Sequence, residues 1–66
     1  MEEAKAKVLE VLSAVPKGVR YSTTDWHRIL GEDKREIRAA LEELEAEAKI
    51  EIAKGGRPDK PLYKLG

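Results

Sequence analysis

Sixty-six residues carry 13 basic and 13 acidic side chains, a formal net charge of zero, one histidine and no cysteine. That length suits one domain, residues 1–66, with a modest core. The missing cysteines exclude a disulfide framework and a thiolate metal site, and balanced charge argues against a nonspecific polyanion binder. No apolar run approaches the ~20 residues that span a bilayer. The charged N-terminus does not read as a secretory signal, so a soluble protein of the cytoplasm or nucleus is expected, with no membrane partner.

The first helix is expected from Glu2 to Val15, because Ala4, Val8, Val11, Leu12 and Val15 recur at helical spacing with Leu9 beside them. Glu2 and Glu3 suit the positive end of its dipole. Pro16 and Gly18 turn the chain. Val19–Tyr21 is short and extended, fit to be a small first strand. Ser22 opens a second helix, and its pairing with Asp25 matches a capping box. Trp26, Ile29 and Leu30 form the inward face, and Gly31 supplies a left-handed stop.

The third helix starts with a second capping box, Asp33 with Glu36. Ile37, Leu41, Leu44 and Ala48 then make the clearest amphipathic stripe, with Ala40 on its flank. The opposite face carries Arg35, Ala39, Glu42 and Ala46, flanked by Arg38. From Lys49 the period becomes alternating, which reads as a strand through Ile52. Gly55–Lys60 is a loop with a type I turn from Arg57 to Lys60. A second strand runs from Pro61 to Leu65, and because Pro61 cannot donate to a central ladder this strand is expected at a sheet edge. The core is expected from Val8, Leu12, Val15, Trp26, Ile29, Leu30, Ile37, Leu41, Leu44, Ile50 and Ile52, with part of Leu62, Tyr63 and Leu65.

Charge is unevenly spread. Residues 17–40 sum to +2, residues 41–52 to −4 (five glutamates against Lys49) and residues 53–66 to +3. The chain also lacks Asn, Gln and Phe and is crowded with Ala, Glu, Lys, Arg and Leu. Thermophile proteins shift this way, and so does computational design, which favours strong helix formers; a designed or redesigned sequence is the expectation adopted.

Helix, glycine turn, basic helix and hairpin, in that order, describe an α+β fold of the winged helix-turn-helix type: three helices and a C-terminal β-hairpin wing. The stretches TTDWHRILG, DKREIRAALEELE and GGRPDKPLYKL resemble that superfamily. The nearest likeness is the Zα family of left-handed-DNA-binding domains, to whose third helix and wing LGEDKREIRAALEEL and PLYKL are similar. Lys34 matches the family's helix lysine. Arg38 stands at the family's Asn position, Glu42 at its Tyr, Tyr63 at the wing Trp, and one proline, Pro61 preceded by Lys60, replaces a pair. What the resemblance implies is therefore the fold and duplex DNA as a partner; fold likeness by itself is analogy.

The residue chemistry supplies its own candidates. A B-DNA major groove admits one α-helix, and the planar fork of arginine matches two acceptors of guanine. Arg35 and Arg38, one turn apart, are the expected base readers. The Ala39 methyl can touch a thymine methyl, and Glu42 can accept from a cytosine amino group. Lys34 suits a phosphate. Thr23 and Thr24, at the start of the second helix, and Lys54 and Arg57, in the wing, are further backbone contacts. Each has a plainer alternative. Arg35 and Arg38 can pair with glutamates along the same helix, Ser22 can be a cap alone, and the wing cations can simply solubilise a hairpin tip. His27, alone and without a cysteine, does not suggest catalysis. No cofactor, metal or small-molecule substrate is expected, and the chain is expected to be a monomer. A protein-interaction module and a ligand-free stability scaffold remain the alternatives.

Overall fold

The computed structural model describes residues 2–55 and 59–66. Three helices, α1 (Glu2–Ala14), α2 (Thr23–Leu30) and α3 (Lys34–Ala46), accompany three strands, β1 (Val19–Arg20), β2 (Ile50–Ala53) and β3 (Leu62–Leu65). The strands form one antiparallel sheet in the order β1-β3-β2. The architecture is α+β: three helices packed on a sheet whose main part is the C-terminal β2–β3 hairpin.

Local chemistry sets most boundaries. Ser22 caps α2 in a full capping box: its hydroxyl accepts from the Asp25 N–H at 3.1 Å, and the Asp25 carboxylate accepts from the Ser22 N–H at 3.0 Å. Gly31 ends α2 at φ 71°, a left-handed conformation that costs glycine nothing. Gly18 adopts φ +90°, and a Cβ there would lie 2.7 Å from the Tyr63 carbonyl oxygen. Only glycine lets the turn after α1 come close enough for β1 to pair with β3, with Val19 opposite Tyr63.

The core joins all three helices to the sheet. Val8 and Leu12 of α1, Trp26 and Leu30 of α2, Ile37, Leu41 and Leu44 of α3, Ile50 and Tyr63 are buried together, with Val15 and Ile52 packed against them. Each large apolar side chain so buried contributes about 1.5–3 kcal/mol. Trp26 is fully buried at the centre, edge-on to Tyr21 (5.1 Å between ring centroids) and to Tyr63 (5.6 Å). Among the described residues its indole N–H has no hydrogen-bond partner, a cost of about 1–3 kcal/mol set against about 0.5–1.5 kcal/mol from each aromatic pair.

Four expectations are corrected. Ile29 is 50% exposed: Trp26 and Leu30, four apart, take the single inward line of an eight-residue helix, and Ile29 is rotated about 100° off it. Ala48 lies beyond α3, exposed and at φ 61°, where the chain turns into β2. Of the three core candidates in β3, Tyr63 is buried, Leu62 half-buried and Leu65 40% exposed, so part of them enters the core as expected. Asp33 caps α3 by accepting from the Arg35 N–H at 2.7 Å, without a reciprocal bond from Glu36, because its short side chain is satisfied at the second helical amide. Finally, β3 is the central strand, not an edge: pairing begins at Leu62, one residue after Pro61, so the missing N–H never falls in the ladder. The turn expected from Arg57 to Lys60 lies partly outside the described residues.

Candidate nucleic-acid interface

Three contacts hold the turn between α2 and α3, and hence the start of α3. The Lys7 ammonium of α1 donates to the Leu30 carbonyl at 3.2 Å and to the Glu32 carboxylate at 2.8 Å. The His27 ring nitrogen Nδ1 lies 2.6 Å from the Glu32 carbonyl. Lys7 holds the Glu32 carboxyl below its ordinary range, and its own ammonium is raised by the same hydrogen bond. Burial of Ile37, Ala40, Leu41 and Leu44 then fixes the rotation of α3 about its axis.

That rotation gives α3 two unlike polar flanks. On the flank toward α1, Lys5 reaches Glu47 at 3.1 Å and Glu43 at 3.4 Å. The hydrogen bond from Lys5 lowers the Glu47 carboxyl, and the Lys5 ammonium is raised, chiefly by Glu47. On the flank toward the hairpin, Arg38, Glu42 and Glu45 share an open groove of about 240 Å³ with Thr23, Lys54 and Tyr63. Leu41 and Ile52 supply its apolar lining. Burial pushes the Tyr63 phenol above its ordinary range, and the nearby Glu45 charge adds to that.

The expected site residues fall as follows. Arg35, Arg38, Glu42, Lys34 and Lys54 are exposed; Ala39, Thr23 and Thr24 are half-buried. Among the described residues, Lys34, Arg35, Arg38, Glu42 and Lys54 make no ion pair. Arg38 and Glu42, spaced for an i,i+4 pair, do not form one. The groove gathers Thr23, Arg38, Glu42 and Lys54; Thr24, Lys34, Arg35 and Ala39 lie outside its lining. Arg57 lies outside the described residues. Lys60, a third wing cation that the sequence offers for the backbone, instead pairs with Asp25 at 3.6 Å and ties the hairpin to the start of α2. The Asp25 carboxyl is lowered, first by the Ser22 N–H and further by Lys60.

One charged groove residue, Glu45, was not foreseen as part of a site. Glu45 belongs to it because it is seven positions, nearly two turns, after Arg38, a signal readable from the helix period. Tyr63, matched to a wing Trp position in the sequence, joins the groove because the sheet order places β3 centrally, beside α2 and α3. A larger recess of about 470 Å³ lies between the end of α3 and β2. Glu45 and Glu51 line it, so it is unsuited to a polyanion. Among the described residues no group of His, Cys, Asp or Glu is arranged to hold a metal ion, and no helix is long and apolar enough to cross a membrane. No protein-family model, curated protein or solved structure matches this chain.

Proposed function

We propose that this chain is a non-catalytic, sequence-specific binder of double-stranded DNA, a winged helix-turn-helix that sets α3 in the major groove and its hairpin wing on the backbone or minor groove. The observation that carries the reading is the contrast on α3. On the α1 side Glu43 and Glu47 are both paired with Lys5, while Arg35 and Arg38 stand exposed without an acid partner among the described residues. Unpaired guanidiniums on a helix whose entry turn is rigidly held are suited to bidentate base contacts. Lys34, Thr23, Thr24 and Lys54 would position the phosphates, Arg57 would act with them from the wing, and Ala39 would allow close approach.

Titration of labelled random-sequence duplexes at fixed salt tests the reading. Binding that weakens steeply with salt is expected. Arg38→Ala should lose about 1–3 kcal/mol on the preferred site and relax the preference at one base position. Retention of no duplex above background at low salt would end the proposal. One observation favours the rival reading of a protein-interaction module: Ile29 stands half-exposed over a groove between α1 and α2 lined also by Val11 and Leu30. A concentration-dependent dimer that Ile29→Ser abolishes would support that rival.

A further inference from the structure

We infer that the duplex read by α3 has a G·C core: two neighbouring guanines met by Arg35 and Arg38, then a cytosine met by Glu42. This rests on the DNA-binding reading and names the class of target. Adenine is recognised in the major groove by Asn or Gln, whose amide donates to N7 and accepts from N6 at once. The whole chain contains neither residue. Beyond the Lys34 ammonium in its first turn, the outward side of α3 offers guanidinium, carboxylate and methyl groups, from exposed Arg35, Arg38, Glu42 and Ala46 and half-buried Ala39.

Each group has one good counterpart. A guanidinium fork donates to O6 and N7 of guanine, the two acceptors that lie side by side. A carboxylate needs a donor and must avoid acceptors. Cytosine offers its N4 amino group; adenine offers N6 with the N7 acceptor beside it, which repels the second carboxylate oxygen. Glu42 is also misplaced for a phosphate, so it must face base edges or solvent. Spacing along the helix agrees. Arg35 and Arg38 are about 4.5 Å apart along the axis, close to the ~3.4 Å rise between base pairs, so they reach adjacent pairs. Glu42 lies about 6 Å further on, one to two pairs beyond. Arg38 and Glu42 line the same groove without neutralising each other, so both retain full bonding capacity for bases.

Selection from a randomised duplex library, followed by anisotropy titration of the recovered site, decides the matter. The recovered pool should show two adjacent guanines with a cytosine one or two positions away. Replacing both guanines by 7-deazaguanine keeps Watson–Crick pairing but deletes N7, and should weaken binding by about fivefold to a hundredfold. Glu42→Gln, a surface change that leaves the core untouched, should move the third preference from cytosine to adenine. An A·T-rich pool, or equal binding of the 7-deazaguanine duplex, overturns the inference. Tight, salt-sensitive binding with no base preference also overturns it while leaving DNA binding in place. Retention of no duplex at all removes the DNA-binding reading and this inference with it.

Discussion

The two flanks of α3 obey different rules. Toward α1, Lys5 answers Glu43 and Glu47, and just before the helix Lys7 answers Glu32. Toward the hairpin, Arg38, Glu42 and Lys54 share a groove without pairing. Packing explains the first flank: the Lys5 side chain is only 14% exposed where α1 lies against α3, and a partly desolvated ammonium is costly unless it is paired. Water solvates the second flank, so nothing forces its charges together, and exposed pairs gain little from forming. One helix thus ties its charges into packing toward α1 and leaves them solvated toward the hairpin.

Breaking the shared core should erase both flanks. Trp26→Ala should destabilise by about 3–5 kcal/mol, read as a lowered urea midpoint, and in a domain this small most molecules should then be unfolded. A variant that stays folded with an unchanged midpoint would mean the indole is not the keystone of the core. Smaller in effect, Ser22→Ala should cost about 0.5–2 kcal/mol by removing the cap of α2, and should loosen the end that carries Thr23 and Thr24. Amide exchange at Asp25, whose N–H loses its acceptor, is the check.

Acid separates the flanks. Glu32 and Glu47 have folded pKa values below their ordinary 4.5, so their contribution is present above that value and is lost as pH falls through the lowered folded pKa. Lys5 and Lys7 are raised above 10.5, so their contribution is present below that value and is lost as pH rises through the raised folded pKa. The melting temperature should therefore be level around neutrality and fall at both extremes. Glu47→Gln should reduce the acid-side fall; a fall that this variant leaves unchanged would contradict the role of the Lys5 contact. The smallest expected effect is on the open flank: Lys34→Ala should leave the melting temperature unchanged and, in duplex titrations, reduce the salt slope by about one unit.

Much of this molecule was legible along the chain wherever the cause is local. The Ser22–Asp25 box, the left-handed Gly31, the period of Ile37, Leu41 and Leu44, and the switch to alternation at Ile50 each depend on residues within a turn or two. Ile29 was misread because a helix of eight residues presents one inward line, and which line it presents depends on the neighbour it packs against. Pro61 was misread because its lack of an N–H restricts a ladder only where the ladder runs, and the register begins at Leu62.

By itself, then, the sequence determined the elements, their caps, most of the core and the outward placement of Arg35, Arg38 and Glu42, since helical period and backbone chemistry act over a few residues. Only the tertiary structure decided that β3 is central, that Lys5 pairs with Glu43 and Glu47 while Arg38 and Glu42 find no ion-pair partner among the described residues, and that Thr23, Lys54 and Tyr63 meet at one groove. Those facts join residues tens of positions apart, and such pairings follow from how the helices pack on the sheet, which no local pattern encodes.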